Sequence, residues 1–297
     1  MKFKPDTSYA GLILGVLALS ASAIFVRIAN APSSVIAFYR LLITGIVLLP
    51  FLLFVKSNRD ELKTINAKKY GLFVLSGLLL AVHYVMWFES LRFTSTSSAT
   101  VLVALQPLFS ILWAFIFLHE KAAKSSLVGC IIAIIGSAVI GWGDLGISMM
   151  ALFGDVLAVV AAGIISLYFL VGQVVRRDTG VVTYSVFSYF SSSVLLALYI
   201  LIMGDSFTGY NAVTWGAFLG LALISTIGGQ FIFNILLKKL SATAVSMSIL
   251  GEPIGTCILA YFILSERIVL RQFVGIVIIL IGLGIYFFYP IYKAKKS

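Results

Sequence analysis

Charge is what this sequence has least of. Only 11% of its 297 residues are Asp, Glu, Lys or Arg, and 61% are apolar, against about 25% charged and about 45–50% apolar in ordinary soluble domains. That deficit excludes a water-soluble enzyme and a disordered chain alike. Cysteine is nearly absent too. Cys130 and Cys257 both fall inside apolar blocks, where a thiol serves as a small hydrophobe, so no disulfide scaffold is expected. Histidine occurs twice, and His119-Glu120 has no second histidine at the spacing of the helical zinc motif. The chain also lacks a Gly-x-x-x-x-Gly-Lys-Ser/Thr loop, so neither a metal, nor a cofactor, nor ATP hydrolysis is expected. Acids are scarcer than bases, 11 against 21. The bases lie mostly in short hydrophilic connections, which makes them topology signals and gives no reason to invoke nucleic acid.

What the sequence has in quantity is long apolar runs, each near the roughly 20 residues that carry a helix across a hydrocarbon core. Ten candidate spans are centred near residues 18, 44, 80, 107, 133, 163, 192, 224, 253 and 280. Helices are the expected spanning element because each satisfies its own backbone hydrogen bonds in lipid. The first run, preceded by Lys2 and Lys4 and followed by Ala21-Ser22-Ala23, imitates a cleavable signal. It is longer than the apolar core of such a signal, and cleavage is not expected. With ten spans and the N-terminus inside, sixteen Lys and Arg fall on inside segments and four (Arg27, Arg92, Arg267, Arg271) outside. The positive-inside rule then places both termini in the cytoplasm, with the chain in the cell (inner) membrane.

The chain also repeats itself. Pro107, Glu120, Gly129 and Gly136 recur without a gap as Pro253, Glu266, Gly275 and Gly282, a constant offset of 146. Tyr70-Gly71 and Phe88-x-x-Leu91 recur as Trp215-Gly216 and Phe233-x-x-Leu236 at an offset of 145, and Gly11-x-x-Leu14 as Gly154-x-x-Leu157. Residues 1–143 and 144–297 are therefore expected to be two repeats of five spans each. An odd number of crossings per repeat inverts the second repeat relative to the first. The expected fold is an all-α polytopic membrane protein, with ten transmembrane helices as two inverted five-helix repeats related by a pseudo-two-fold axis in the membrane plane. Secondary transporters use that arrangement to open a midplane site to either face.

These residues resemble the EamA-type proteins of the drug/metabolite transporter superfamily. The resemblance runs through Gln106-Pro107 to His119-Glu120, Gly251-Glu252-Pro253 to Ser265-Glu266, the two Gly-x6-Gly pairs, Gly154-Asp155, and Arg40 in the second span. It covers essentially the whole chain. It implies ten helices in two five-helix repeats and the movement of small metabolites, with export the default direction.

Polar residues in apolar spans are the candidate site. Glu252 lies in the middle of the ninth span, where an ionised side chain costs about 2.5–3.5 kcal/mol on insertion scales and should face protein or water. Pro253 beside it frees a backbone carbonyl. Gln106 is its repeat mate. Arg40, seven residues past Ser33 and so roughly 10 Å into the second span, suits a bidentate carboxylate clamp or a structural pair with Glu89. His83 and Trp87 share one stripe of the third span with Ser76 and Ser90. Thr226, Gln230 and Asn234 recur every four residues in the eighth, and Tyr184, Ser188 and Ser191 line the seventh. Each stripe marks either a cavity wall or interhelical hydrogen bonding. Glu120, Glu266 and Asp155 stand at span ends and are left outside the site. The expected activity is alternating-access transport, by export, of a small polar or amphipathic metabolite such as an amino acid, with protons as a candidate coupling ion. An enzyme acting on lipid and a passive channel are the competing readings.

Overall fold

The computed structural model describes residues 7–94, 96–141, 149–264 and 269–296. Lys2, Lys4, the repeat junction at 143/144, Ser265, Glu266 and Arg267 lie outside them. Every described element is a helix. In chain order these are α1 (Thr7–Ile28), α2 (Ser33–Phe54), α3 (Lys56–Leu62), α4 (Ala67–Phe93), α5 (Thr96–Val103), α6 (Gln106–Leu118) and α7 (Lys124–Gly141). They continue as α8 (Met149–Val175), α9 (Val181–Met203), α10 (Ala212–Gly220), a π-helical segment (Leu221–Phe231), α11 (Ile232–Leu236), α12 (Ala242–Ile249), α13 (Glu252–Leu264) and α14 (Leu270–Lys296).

Among the described residues nine helical stretches are long and apolar enough to cross a membrane, and the apolar helix Lys124–Ile140 is shorter. The outward surface is what such helices need. Phe54, Ile202, Leu201, Phe262 and Leu270 are large apolar side chains left exposed, a pattern a water-soluble surface does not tolerate over wide areas.

Two spans are broken at equivalent places. The stretch Val101–Leu118 splits into α5 and α6 at Ala104-Leu105, and Ala242–Ile263 into α12 and α13 at Leu250-Gly251. Pro107 and Pro253 follow each break, where a missing amide hydrogen costs little. The local hydrogen bonds repeat as well. Leu105 N donates to Leu102 O and Leu108 N to Leu105 O, as Gly251 N donates to Ser248 O and Ile254 N to Gly251 O. The offset of 146 is thus present in the backbone as well as the side chains.

The chain forms two compact units, and each draws on both sequence halves. One gathers residues up to Val85 with Tyr168–Ser241; the other gathers Met86–Leu167 with the residues from Ala242 onward. In the first, α2 lies on α9 and α1 on the π-helical segment. Val35, Ile36, Ile200, Phe218 and Leu221 form its core, and Tyr39 stacks on Phe218 with ring centroids 4.9 Å apart. Gly77 brings α4 backbone to backbone with α9, since a Cβ there would stand 2.6 Å from Ser188 O.

In the second unit α7 and α14 run antiparallel in direct backbone contact. A Cβ on Gly129 would meet Gly282 O at 2.7 Å, and one on Gly136 would meet Gly275 O at 2.8 Å. Small residues of this kind drive helix association in lipid, where apolar burial gives no net gain. Cys130, Ala133, Met247 and Leu250 fill the core beside them. Asp155 does not open a helix: α8 begins at Met149, and Asp155 accepts the Thr94 hydroxyl at 2.7 Å. His119 closes α6 in the left-handed conformation, φ 56°.

Candidate functional site

The polar residues of the spans gather into networks inside each unit. In the first unit the centre is Arg40. It sits on α2 and is only 4% exposed. Its Nε donates to Thr226 Oγ1 at 3.2 Å, its Nη1 to Ser22 Oγ at 3.4 Å, and its guanidinium lies over the Tyr84 ring, 5.3 Å from the centroid. Thr44, one turn on, donates to Arg40 O and lies 3.2 Å from Ala222 O. Among the described residues no carboxylate lies within 4.0 Å of Arg40. The candidate partner Glu89 is bound instead by Arg92, at 3.0 Å. A buried guanidinium facing hydroxyls and a π-face is hydrogen-bonded, but none of the described residues balances its charge.

The π-helical segment supplies the facing groups. Thr226 Oγ1 donates to Leu221 O, five residues back, in the register of that wide helix. Gln230 is 6% exposed. Its Nε2 and the hydroxyls of Ser225 and Ser192 have no partner among the described residues. Buried polar atoms ordinarily have one, and these three are left uncommitted by the described residues. Asn234 is the opposite case. It exchanges hydrogen bonds with Tyr168 at 3.0–3.1 Å and donates to Ser185 at 3.1 Å and Tyr189 at 3.2 Å. On α4, buried His83 has its ring 5.4 Å from that of Tyr84. Ser76 shares a 2.6 Å hydrogen bond with Tyr184 and accepts from Ser188.

One end of this unit is tied by ionic contacts. Glu61 accepts from Gly180 N and Thr183 Oγ1 at the start of α9, where the helix dipole favours a carboxylate. Arg176 donates to Asn234 O at 2.9 Å and to Thr179 O. Burial draws its guanidinium below the ordinary value, and the Glu61 charge opposes that. The Lys69 ammonium, 3.0 Å away, holds Asp178 below the usual carboxylate value.

The second unit holds Gln106, Trp87 and Glu252. Gln106 Nε2 donates to Ser246 Oγ at 3.1 Å, Ser110 shares a 2.7 Å hydrogen bond with Ser246, and Ser166 donates to Gln106 O. Glu252 is the first residue of α13, at the break, and is half-buried. Trp87 packs its ring 5.1 Å from Phe88, and its carbonyl accepts from Ser90.

The structure therefore places Arg40, Thr226, Gln230 and Asn234 in one unit, with Arg40 bonded to Thr226 and Asn234 to its own tyrosine network, and sets Gln106 in the other unit. Sequence reasoning passed over Tyr168, Tyr189, Ser246 and the buried Arg176. Tyrosine reads as apolar in a span, and an arginine in a basic connection reads as a topology signal.

A polytopic helical protein with broken spans and buried polar networks has the build of a membrane transporter. The profile of the EamA-like transporter family matches residues 7–142 and again 152–288; the chain belongs to that family. An uncharacterized transporter of Clostridium kluyveri is 27% identical over 251 residues, covering 81% of this chain and 79% of the relative. The S-adenosylmethionine uptake transporter of Rickettsia felis is 27% identical over 234 residues, 78% of this chain and 74% of its own. The pseudopaline exporter CntI of Pseudomonas aeruginosa is 24% identical over 250 residues, 82% and 84% respectively. A solved crystal structure superposes with a TM-score of 0.80 over 96% of this chain and 99% of its own at 15% identity, a likeness of fold.

Proposed function

We propose that this chain is a secondary transporter that exports a small polar or amphipathic metabolite bearing a carboxylate, such as an amino acid, by alternating access. The observation that carries this reading is Arg40, a buried cation with hydroxyl partners and no acid within 4.0 Å among the described residues. A guanidinium presents five donors in a planar fork matched to a carboxylate, and a bound anion would balance a charge that none of the described residues balances. Gln230 Nε2 adds an uncommitted donor in the same unit.

The transport cycle we propose uses two inverted repeats, 1–143 and 144–297, with both termini cytoplasmic. The antiparallel crossing of α7 and α14 supports it, because Gly129 meets the repeat mate of Gly136 and Gly136 meets the repeat mate of Gly129. An inverted duplication generates that reciprocal pairing. Glu252, at the α12/α13 break, is the candidate proton carrier.

Counterflow in proteoliposomes tests the whole reading. Vesicles preloaded with an unlabelled carboxylate metabolite should accumulate the labelled one transiently and saturably. Flux that is linear in concentration, without counterflow, would indicate a channel. Release of a modified lipid without solute movement would indicate an enzyme.

A further inference from the structure

We propose that the cleft between the end of α8 and the turn after α11 binds the phosphate of an anionic phospholipid headgroup. The cleft, about 180 Å³, is lined by Gln173, Arg177, Lys238, Lys239 and Ser241, with Leu237 and Leu240 at its apolar wall. All of these residues belong to the unit that holds Arg40. Gln173 and Arg177 are one turn apart. Opposite them, Lys239 N and Leu240 N both donate to Leu236 O at 2.8 Å, a tight turn that sets the two lysines side by side at the rim.

Three cations share this rim without an anion. Among the described residues no carboxylate stands within 4.0 Å of Arg177, Lys238 or Lys239. The acids at this end are committed elsewhere: Asp178 to Lys69 at 3.0 Å, Asp60 to Lys63 at 3.1 Å, and Glu61 to Gly180 and Thr183. The positive-inside bias explains why cations lie at this end. It does not require a cleft between them.

The position favours a lipid over a free ion. Val174 and Ile235, one turn before Arg177 and Lys238 respectively, are exposed apolar side chains, so the cations stand just above surface suited to acyl chains. A phosphate there gains the Arg177 fork and two ammonium groups. Basic pockets at the cytoplasmic ends of spans take anionic headgroups in this way. That this end is cytoplasmic rests on the topology above; the binding chemistry does not.

Native mass spectrometry of the full chain, taken from bilayers of equal phosphatidylglycerol and phosphatidylcholine, reads the preference directly. The wild-type protein should retain phosphatidylglycerol selectively. Arg177→Gln/Lys238→Gln/Lys239→Gln should lose about fivefold in preference per removed charge. Arg59→Gln/Lys63→Gln/Lys68→Gln, an equal charge change away from the cleft, should keep it. Equal retention of both lipids, or an unchanged preference in the cleft variant, overturns the proposal. Stabilisation by glycerol phosphate or inorganic phosphate equal to that by the lipid would make the cleft a soluble-anion site and overturn the lipid assignment. Should the triple variant not purify as a monodisperse protein, Arg177→Gln and Lys239→Gln are read singly by the same ratio.

Discussion

Arg40 shows how far a single residue constrains the reading. Its stem is held by α2, its Nε by Thr226 and its face by Tyr84, so the guanidinium plane is fixed before any ligand arrives. Lysine at this position would keep the charge and lose the fork. We expect Arg40→Lys to fold and to bind a carboxylate ligand at least about tenfold more weakly, as loss of a charge-assisted bidentate contact implies. The measurement is ligand-induced thermal stabilisation of purified protein; unchanged binding would make Arg40 a packing residue. Trp87→Ala is expected to weaken binding of the identified ligand more than it lowers the unliganded protein's unfolding temperature, because an indole offers a large flat surface to an amphipathic solute. Loss of stability with intact affinity would return Trp87 to packing. At this scale the sequence was legible where polarity is costly. Arg40, Gln106 and Glu252 stand out because a charged or amide side chain is costly in an apolar run. Tyr168 and Tyr189, which hold Asn234, do not stand out, because a phenol hides its hydroxyl in an apolar profile.

Among the elements, the repeat spacing was legible, and the breaks and the widened helix were not. Pro107 and Pro253, and the Gly-x6-Gly pairs, stand out as repeated motifs, but it is the structure that splits two spans beside the prolines and brings the glycines into contact. Which helices meet was left open; the structure pairs α7 with α14. The stripe of Thr226, Gln230 and Asn234 reads as an ordinary α-helix, yet Leu221–Phe231 is π-helical. The only local hint is Gly228-Gly229, and π segments depend on tertiary partners such as Arg40 that a window of sequence does not contain. The crossing supports a sharp expectation. A Cβ at Gly136 would fall 2.7 Å from Ile279 N and 2.8 Å from Gly275 O, both backbone atoms that do not yield easily, whereas nothing stands within 4 Å of one at Gly71. Gly136→Ala should therefore cost about 1–3 kcal/mol by overpacking, and Gly71→Ala close to nothing. Thermal unfolding in detergent compares them; equal midpoints would mean that α7 and α14 are not in direct contact.

For the molecule as a whole, helical class and membrane residence follow from composition, but the packing units do not, since each unit combines residues from both halves and sequence order is silent about that. Topology is the first whole-molecule expectation. Ser57 and Ser206 are both exposed; a cysteine at Ser206 should react with an impermeant thiol reagent in intact cells, and one at Ser57 should not. The reverse pattern would remove the cytoplasmic assignment, and labelling of both positions or of neither would remove the inverted repeat. Coupling is the second. Glu252 opens α13 at the break shared with the uncharged Gln106, so only one of the two equivalent breaks carries an acid. Beside it Gly251 and Gly255 leave one side of the helix small, which lets substrate or water approach the carboxyl. If alternating access exposes that group to one face and then to the other, its surroundings change within a cycle, and with them its hold on a proton. A carboxylate that merely binds a substrate amine would also matter for activity, so loss of transport alone does not separate the two roles. Glutamine does, because it keeps the hydrogen-bonding shape and cannot titrate. Glu252→Gln is expected to abolish transport driven by a pH gradient while retaining substrate exchange at zero gradient, measured in the same proteoliposomes. A folded Glu252→Gln protein with the wild-type dependence on the pH gradient would show that the proton travels elsewhere; one that loses exchange as well would place Glu252 on the substrate.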